Sequence, residues 1–169
     1  MVDACVVITF GNADALDVIT RLQRHEVGVC PRVVNEVTKP PAAEALRDAV
    51  NQGIVGQLSL DLTDATERSN LQRFDSRPAF RNRADAEVLA LAISRSYIVG
   101  SDETAVRRAA AEELGWEMVA GTLDFLVWAV REGRVALAQA EVLLETLDVG
   151  PSIIETLARS SKTFGDLLN

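Results

Sequence analysis

The chain has 169 residues and a mass of 18.3 kDa, enough for one domain with a core of its own. Apolar residues make up 48%, which excludes a disordered chain, and no apolar stretch approaches the ~20 residues that span a bilayer. The net charge of −8, with a pI near 4.7, taken alone argues against a nucleic-acid binder, since such domains usually show a basic face.

In chain order, the opening run MVDACVVITF reads as a buried strand over residues 2–5, with Asp3 inside it. ADALDVITRLQRH sets Leu16, Ile19 and Leu22 on one helical face. VGVC is a β-branched strand, and PRVVNEV opens a short helix with Pro31 at its first position. PAAEALRDAVNQG is an amphipathic helix closed by Gly53. IVGQLSLDL alternates as a strand does, and TDATERSNLQRF returns to helical spacing. ADAEVLALAISRS is an apolar helix, YIVGS a short buried strand, DETAVRRAAAEELG a helix stopped at Gly115, and WEMVA a last strand. LDFLVWAVREG, ALAQAEVLLETL and PSIIETLARS add helices at the C-terminal side. Alternating strands and helices predict an α/β fold with a largely parallel sheet. No basic-then-apolar leader opens the chain, which sets the expectation of a cytoplasmic protein with no membrane partner. Cys5 and Cys30 sit in apolar contexts and are expected as buried free thiols. His25 is the only histidine, so His-rich metal sites are excluded.

In a parallel sheet, ligands sit beyond the carboxyl ends of the strands. Four acids fall there or on the helices that come next: Asp3, Glu36, Asp85 and Asp102. Asp102 and Asp85 each suit the first turn of a helix, Asp102 as an N-cap, and Glu36 suits solvent between Val34 and Val37. Asp3 is harder to explain, because a carboxylate among apolar neighbours is expensive to desolvate without a partner. Carboxylates brought ~4 Å apart repel by ~4 kcal/mol per pair at an effective dielectric of ~20. A divalent cation removes that repulsion, and all-oxygen donors select Mg²⁺ or Mn²⁺ over zinc or copper. Between Arg68 and Arg83 the chain carries five arginines against Asp75 alone, a local net of +4. Arg73, Arg77, Arg81 and Arg83 are therefore candidates for contact with phosphates. No Gly-rich phosphate loop with a following lysine occurs, which argues against an NTPase. Cys5 stands where a haloacid-dehalogenase-like phosphatase needs a second acid.

Four segments in order resemble the PIN-domain family of nucleases: MVDACVVITFGNADALDVITRL, VGVCPRVVNEV, ADAEVLALA and YIVGSDETAVRRAA. GTLDFLVWAVREGRV is similar to the Gly-Thr-Leu segment and helix found after the fourth motif in the branch related to VapC-type toxins. The resemblance implies a three-layer α/β/α fold around a mostly parallel sheet of about five strands, with extra C-terminal helices. Residues 1–169 then form a single domain, with a core over about 1–135 and a helical extension over about 136–169. It implies a metal-dependent endoribonuclease that hydrolyses RNA phosphodiester bonds, of the kind that serves as the toxin of a toxin–antitoxin pair. Asp3, Glu36, Asp85 and Asp102 would hold Mg²⁺ or Mn²⁺, and Glu87 and Glu103 would be auxiliary acids. RNA is the implied substrate, a small antitoxin and a second copy in a homodimer the implied partners. Three residues depart from the family pattern: Cys5 for Ser or Thr, Asp85 for Glu, and Asp124 for glycine. A thiol is the poorer donor, so a non-catalytic module that binds RNA or protein is the alternative.

Overall fold

The computed structural model describes residues 1–80, 83–147 and 164–168. Arg81 and the helix expected of PSIIETLARS lie outside them. The chain runs through α1 (Ala4–Asn12), α2 (Leu16–Thr20), β1 (Gly28–Val29), α3 (Pro31–Glu36), α4 (Ala42–Asn51) and β2 (Gly56–Gln57). It continues through α5 (Ala65–Asp75), α6 (Arg83–Arg95), β3 (Val99–Gly100), α7 (Thr104–Leu114), β4 (Val119–Ala120), α8 (Thr122–Arg131) and α9 (Leu137–Thr146). A 3-10 turn covers Phe164–Leu168.

The strands form two parallel pairs, β1 with β2 and β3 with β4. Val2 joins the pairs. Its N–H donates to the Gly28 carbonyl at 2.8 Å, and it bridges Gly100 in parallel. The Asp3 N–H donates to the Gly100 carbonyl, also at 2.8 Å. The order across the molecule is therefore β2, β1, Val2, β3, β4. The architecture is α/β, with two-residue strands and a large helical share.

The opening run departs from expectation. The strand expected over residues 2–5 is confined to Val2, and α1 begins at Ala4. The cause is Asp3, which turns its carboxylate onto the Ala4 N–H and caps the helix. The apolar run then serves a helix whose Val6, Val7 and Phe10 are buried. The second helix is shorter than ADALDVITRLQRH suggests, because α1 already occupies the chain to Asn12 and Asp14 takes a positive φ of 52°. Leu16, Ile19 and Leu22 are nonetheless all buried, as their spacing requires. Only Gly56–Gln57 of the alternating IVGQLSLDL pairs, and the exposed side chain of Ile54 stays outside the core. WEMVA starts as a 3-10 turn over Trp116–Met118 and becomes a strand at Val119. Gly115 makes the reversal there at φ 91°, a conformation that favours glycine.

Helix α6 lies at the centre. Its residues from Ala84 to Ala92 are all buried, packed on α5, α7 and α3. Each fully buried leucine here, Leu89 and Leu91, contributes roughly 1.5–3 kcal/mol. Helices α1 and α4 cross so closely that a Cβ at Gly11 would sit 2.7 Å from Ala42. One buried acid belongs to this scaffold. Glu67 receives Arg95 Nε at 2.7 Å and Nη2 at 3.1 Å, and the Asp61 N–H at 2.6 Å. The Arg95 hydrogen bond holds its carboxyl below the ordinary range. Among the described residues no helix is long and apolar enough to cross a membrane.

Candidate metal centre

The Val2 stretch ends on Asp3, and the residues beyond β3 end on Glu103, just ahead of α7. Helix α6 contributes Asp85 from its first turn, and α3 ends on Glu36. Oxygens of Asp3, Asp85 and Glu103 all lie within 4.8 Å of one another. Asp3 and Asp85 are buried, at 2% and 4% exposure, while Glu103 faces solvent. Burial pushes the Asp85 carboxyl up to about 7, and the charges of Asp3, Glu103 and Glu36 add to the rise. The Glu103 carboxyl is raised by the same causes, desolvation first, then Asp3 and Glu36. Among the described residues no lysine, arginine or histidine forms an ion pair with Asp3, Asp85 or Glu103. Glu67 and Asp85 are thus two buried acids in opposite conditions: one is held by an arginine, the other faces further carboxylates.

Asp3 is held by donors from three directions. It accepts from the Ala4 N–H, from Ser101 Oγ at 2.8 Å and from Cys5 Sγ at 3.3 Å. Burial, aided by the Asp3 charge, pushes the Cys5 thiol up to about 12, so it keeps its proton and donates. Cys5 Sγ also accepts the Asp102 N–H at 3.3 Å. The thiol therefore fills the hydroxyl's place beside Asp3. Cys5 is only partly buried, unlike Cys30, and both are free thiols.

Asp102 does not cap α7. Glu103 occupies the N-cap position, and the Asp102 carboxylate is turned to the start of α8. There Thr122 N–H donates to Oδ1 at 2.9 Å and Thr122 Oγ1 to Oδ2 at 2.5 Å. The reason is the extended backbone that continues from β3. Alternate residues face opposite sides, so Ser101 and Glu103 turn to Asp3 while Asp102 turns away. Glu103, expected as an auxiliary acid, stands with Asp3 and Asp85, and Asp102 stands outside that group.

Glu87 is buried on the same helix as Asp85 and pairs with Arg32 Nε at 3.1 Å. Asp124 accepts the Gly121 N–H at 2.7 Å and so caps α8, which accounts for an acid at that position. The described arginines of the positive stretch have intramolecular partners. Arg73 Nη1 donates to Glu113 at 2.8 Å, and its guanidinium lies 4.6 Å from the Phe74 ring centre. Arg77 stacks on the same ring at 5.1 Å, and Arg83 pairs with Asp75 at 3.6 Å. Ser101 and Thr122 were not singled out in the sequence as site residues. Their signal is position: each directly follows a short strand or its glycine, where a small hydroxyl reaches a neighbouring carboxylate.

Three carboxylates at this spacing suit a hard divalent cation, which takes oxygen donors. Burial of Asp85 without a cationic partner among the described residues is the observation that fits such an ion. A cavity of about 790 Å³ opens elsewhere, at the amino ends of the strands. Met1, Gly28, Gly56, Tyr97 and Trp128 line it, and none of the three clustered acids does.

A family model described as a PIN domain matches residues 1–153. No curated protein and no solved structure matches the chain. PIN domains are α/β proteins, generally nucleases, and usually use divalent metals. The match spans most of the chain and includes every acid of the cluster, so the protein belongs to the PIN-domain family.

Proposed function

We propose that the protein is a metal-dependent endoribonuclease, with Asp3, Asp85 and Glu103 holding Mg²⁺ or Mn²⁺ and Glu36 adding negative charge. The observation that carries this reading is the pair of buried acids, with Glu103 beside them and, among the described residues, no cation paired to any of the three. Such an ion, when bound, polarises a phosphoryl oxygen and activates water. The chain's own residues prepare the place. Ser101 and Cys5 fix Asp3 Oδ2, and Thr122 fixes Asp102, which braces the turn carrying Glu103. Burial and the neighbouring acids push the Asp85 carboxyl up to about 7, so a bound cation would compete with its proton. Glu87, tied to Arg32, supports the α6 side of the cup as an auxiliary acid.

Purified protein is expected to cut single-stranded RNA in Mn²⁺, to stop on chelation, and to resume when Mn²⁺ is restored. RNA binding with no cleavage under any of these conditions identifies the alternative, a non-catalytic binding module. The same reading extends to a toxin restrained by a small antitoxin, to a cytoplasmic location and to a homodimer. Val142 and Leu137, exposed on α9, support the homodimer. Light scattering that returns only an 18.3 kDa species removes that part, and expression without growth arrest removes the toxin role.

A further inference from the structure

A nuclease centre made of carboxylates must still attract a polyanion, in a chain of net charge −8. A metal ion offsets part of that repulsion. The rest calls for a cation beside the cup that is not already committed to an ion pair. Most arginines near the site fail this condition, because Arg32 is paired with Glu87, Arg73 with Glu113, and Arg83 with Asp75. Arg77 covers Phe74.

Arg107 meets it. It lies on α7, half-buried, one turn beyond Glu103. Among the described residues its guanidinium makes one hydrogen bond, from Nη1 to the Ser101 carbonyl at 3.1 Å, and no ion pair. Ser101 is the residue whose hydroxyl holds Asp3, so the cation is fixed one residue from the acid cup. Gly121 closes the other side. A Cβ there would sit 2.5 Å from Arg107 Nη1 and 2.7 Å from Asp102 Oδ1, so the guanidinium lies directly against the glycine. A guanidinium has five N–H donors in a fixed fork suited to phosphate oxygens. Here one is used, on a neutral carbonyl; the Asp102 carboxylate shares the space beside Gly121 without forming an ion pair with the guanidinium, and its oxygens take the Thr122 N–H and hydroxyl.

We infer that Arg107 is a substrate-binding residue that takes a backbone phosphate of a single-stranded nucleic acid beside the metal cup. The inference rests on the nuclease reading and names the protein group that anchors its substrate. The fork sets the phosphate against the Ser101–Glu103 turn, and the chain's remaining phosphates need no strip of exposed arginines to hold them there.

The experiment compares the full chain with Arg107→Gln and Arg107→Lys. Binding is read by anisotropy of a labelled single-stranded RNA in Ca²⁺, cleavage of the same RNA in Mn²⁺, and folding by melting temperature. Arg107→Gln is expected to weaken binding about tenfold or more and to flatten the log–log salt dependence by about 0.7, the loss of one phosphate contact. KM should rise more than kcat falls, and Arg107→Lys should recover part of the binding. Unchanged affinity and salt dependence in Arg107→Gln overturn the inference, as does a wild type that does not bind RNA. A lower melting temperature with unchanged affinity overturns it too, by assigning Arg107 to the scaffold. Loss of binding in Arg107→Gln alongside a wild type that binds but never cuts leaves the phosphate anchor standing and removes the nuclease reading. Wild-type cleavage with an unaffected variant does the reverse.

Discussion

Asp3→Asn is expected to eliminate Mn²⁺ binding and to lower RNA cleavage by a factor on the order of 10³, the equivalent of about 4 kcal/mol of transition-state stabilisation. Its effect on folding should be small. Asparagine keeps a carbonyl oxygen for the Ala4 N–H, so the cap on α1 survives. The other oxygen becomes an amide NH₂, which can donate to Ser101 Oγ but cannot accept from Ser101 or Cys5. That loss, about 1 kcal/mol, is opposed by relief of the repulsion between Asp3 and Asp85. The melting temperature should therefore move by no more than about 4 °C, since ~1 kcal/mol shifts a protein of this size by roughly 2–4 °C. Calorimetric titration with Mn²⁺ and a thermal scan test both halves. A variant that binds Mn²⁺ normally, or that unfolds outright, makes Asp3 a structural residue and removes the metal centre.

The second large effect is on the pH dependence of stability. Asp85 titrates near 7 in the folded protein, against an ordinary value of 3.8. Between those two values the folded chain holds a proton that the unfolded chain has already released. The stability this contributes is fully present below about pH 4 and is lost as the pH rises through about 7. Metal-free protein should accordingly melt lower at pH 8 than at pH 5, by an amount on the order of 2 kcal/mol, or roughly 4–8 °C. Mn²⁺ competes with the same proton, so the stabilisation it gives should grow across that interval. Asp85→Asn should flatten the metal-free profile, raise the melting temperature at pH 8, and abolish the Mn²⁺ response. A flat profile in the wild type, or an asparagine variant still stabilised by Mn²⁺, would mean that Asp85 is not the titrating ligand.

Much of this was legible along the chain, and the reasons for the remainder are local. Asp3 drew attention because an acid among apolar residues needs a partner, and in the fold it is buried against other acids. Helical faces such as Leu16, Ile19 and Leu22 were readable because burial follows a period of 3.6. Strand lengths were not, because an apolar run can serve a strand or a buried helix equally well. VVITF was taken by a helix once Asp3 capped it. Asp102 and Glu103 are adjacent, and their division of labour depends on which way one extended residue faces. Composition is silent on that, whereas the period of two beyond β3, counted from Gly100, could have indicated it. The positive stretch showed where arginines are dense but not which ones the fold neutralises. Arg107, outside that stretch and next to Arg108, carried no such signal.

Val2 lies between Gly28 and Gly100, and the Asp3 amide depends on a carbonyl 97 positions later in the chain. Of the three clustered acids, the first to be synthesised thus waits for Glu103. Until the ribosome has made β3, Asp3 has no such strand beside it and Glu103 does not yet exist. Such distant pairing also forms slowly once available. A polypeptide whose acid cup needs both segments would in this way stay inert until release of β3 and Glu103 from the exit tunnel lets the two halves of the sheet meet.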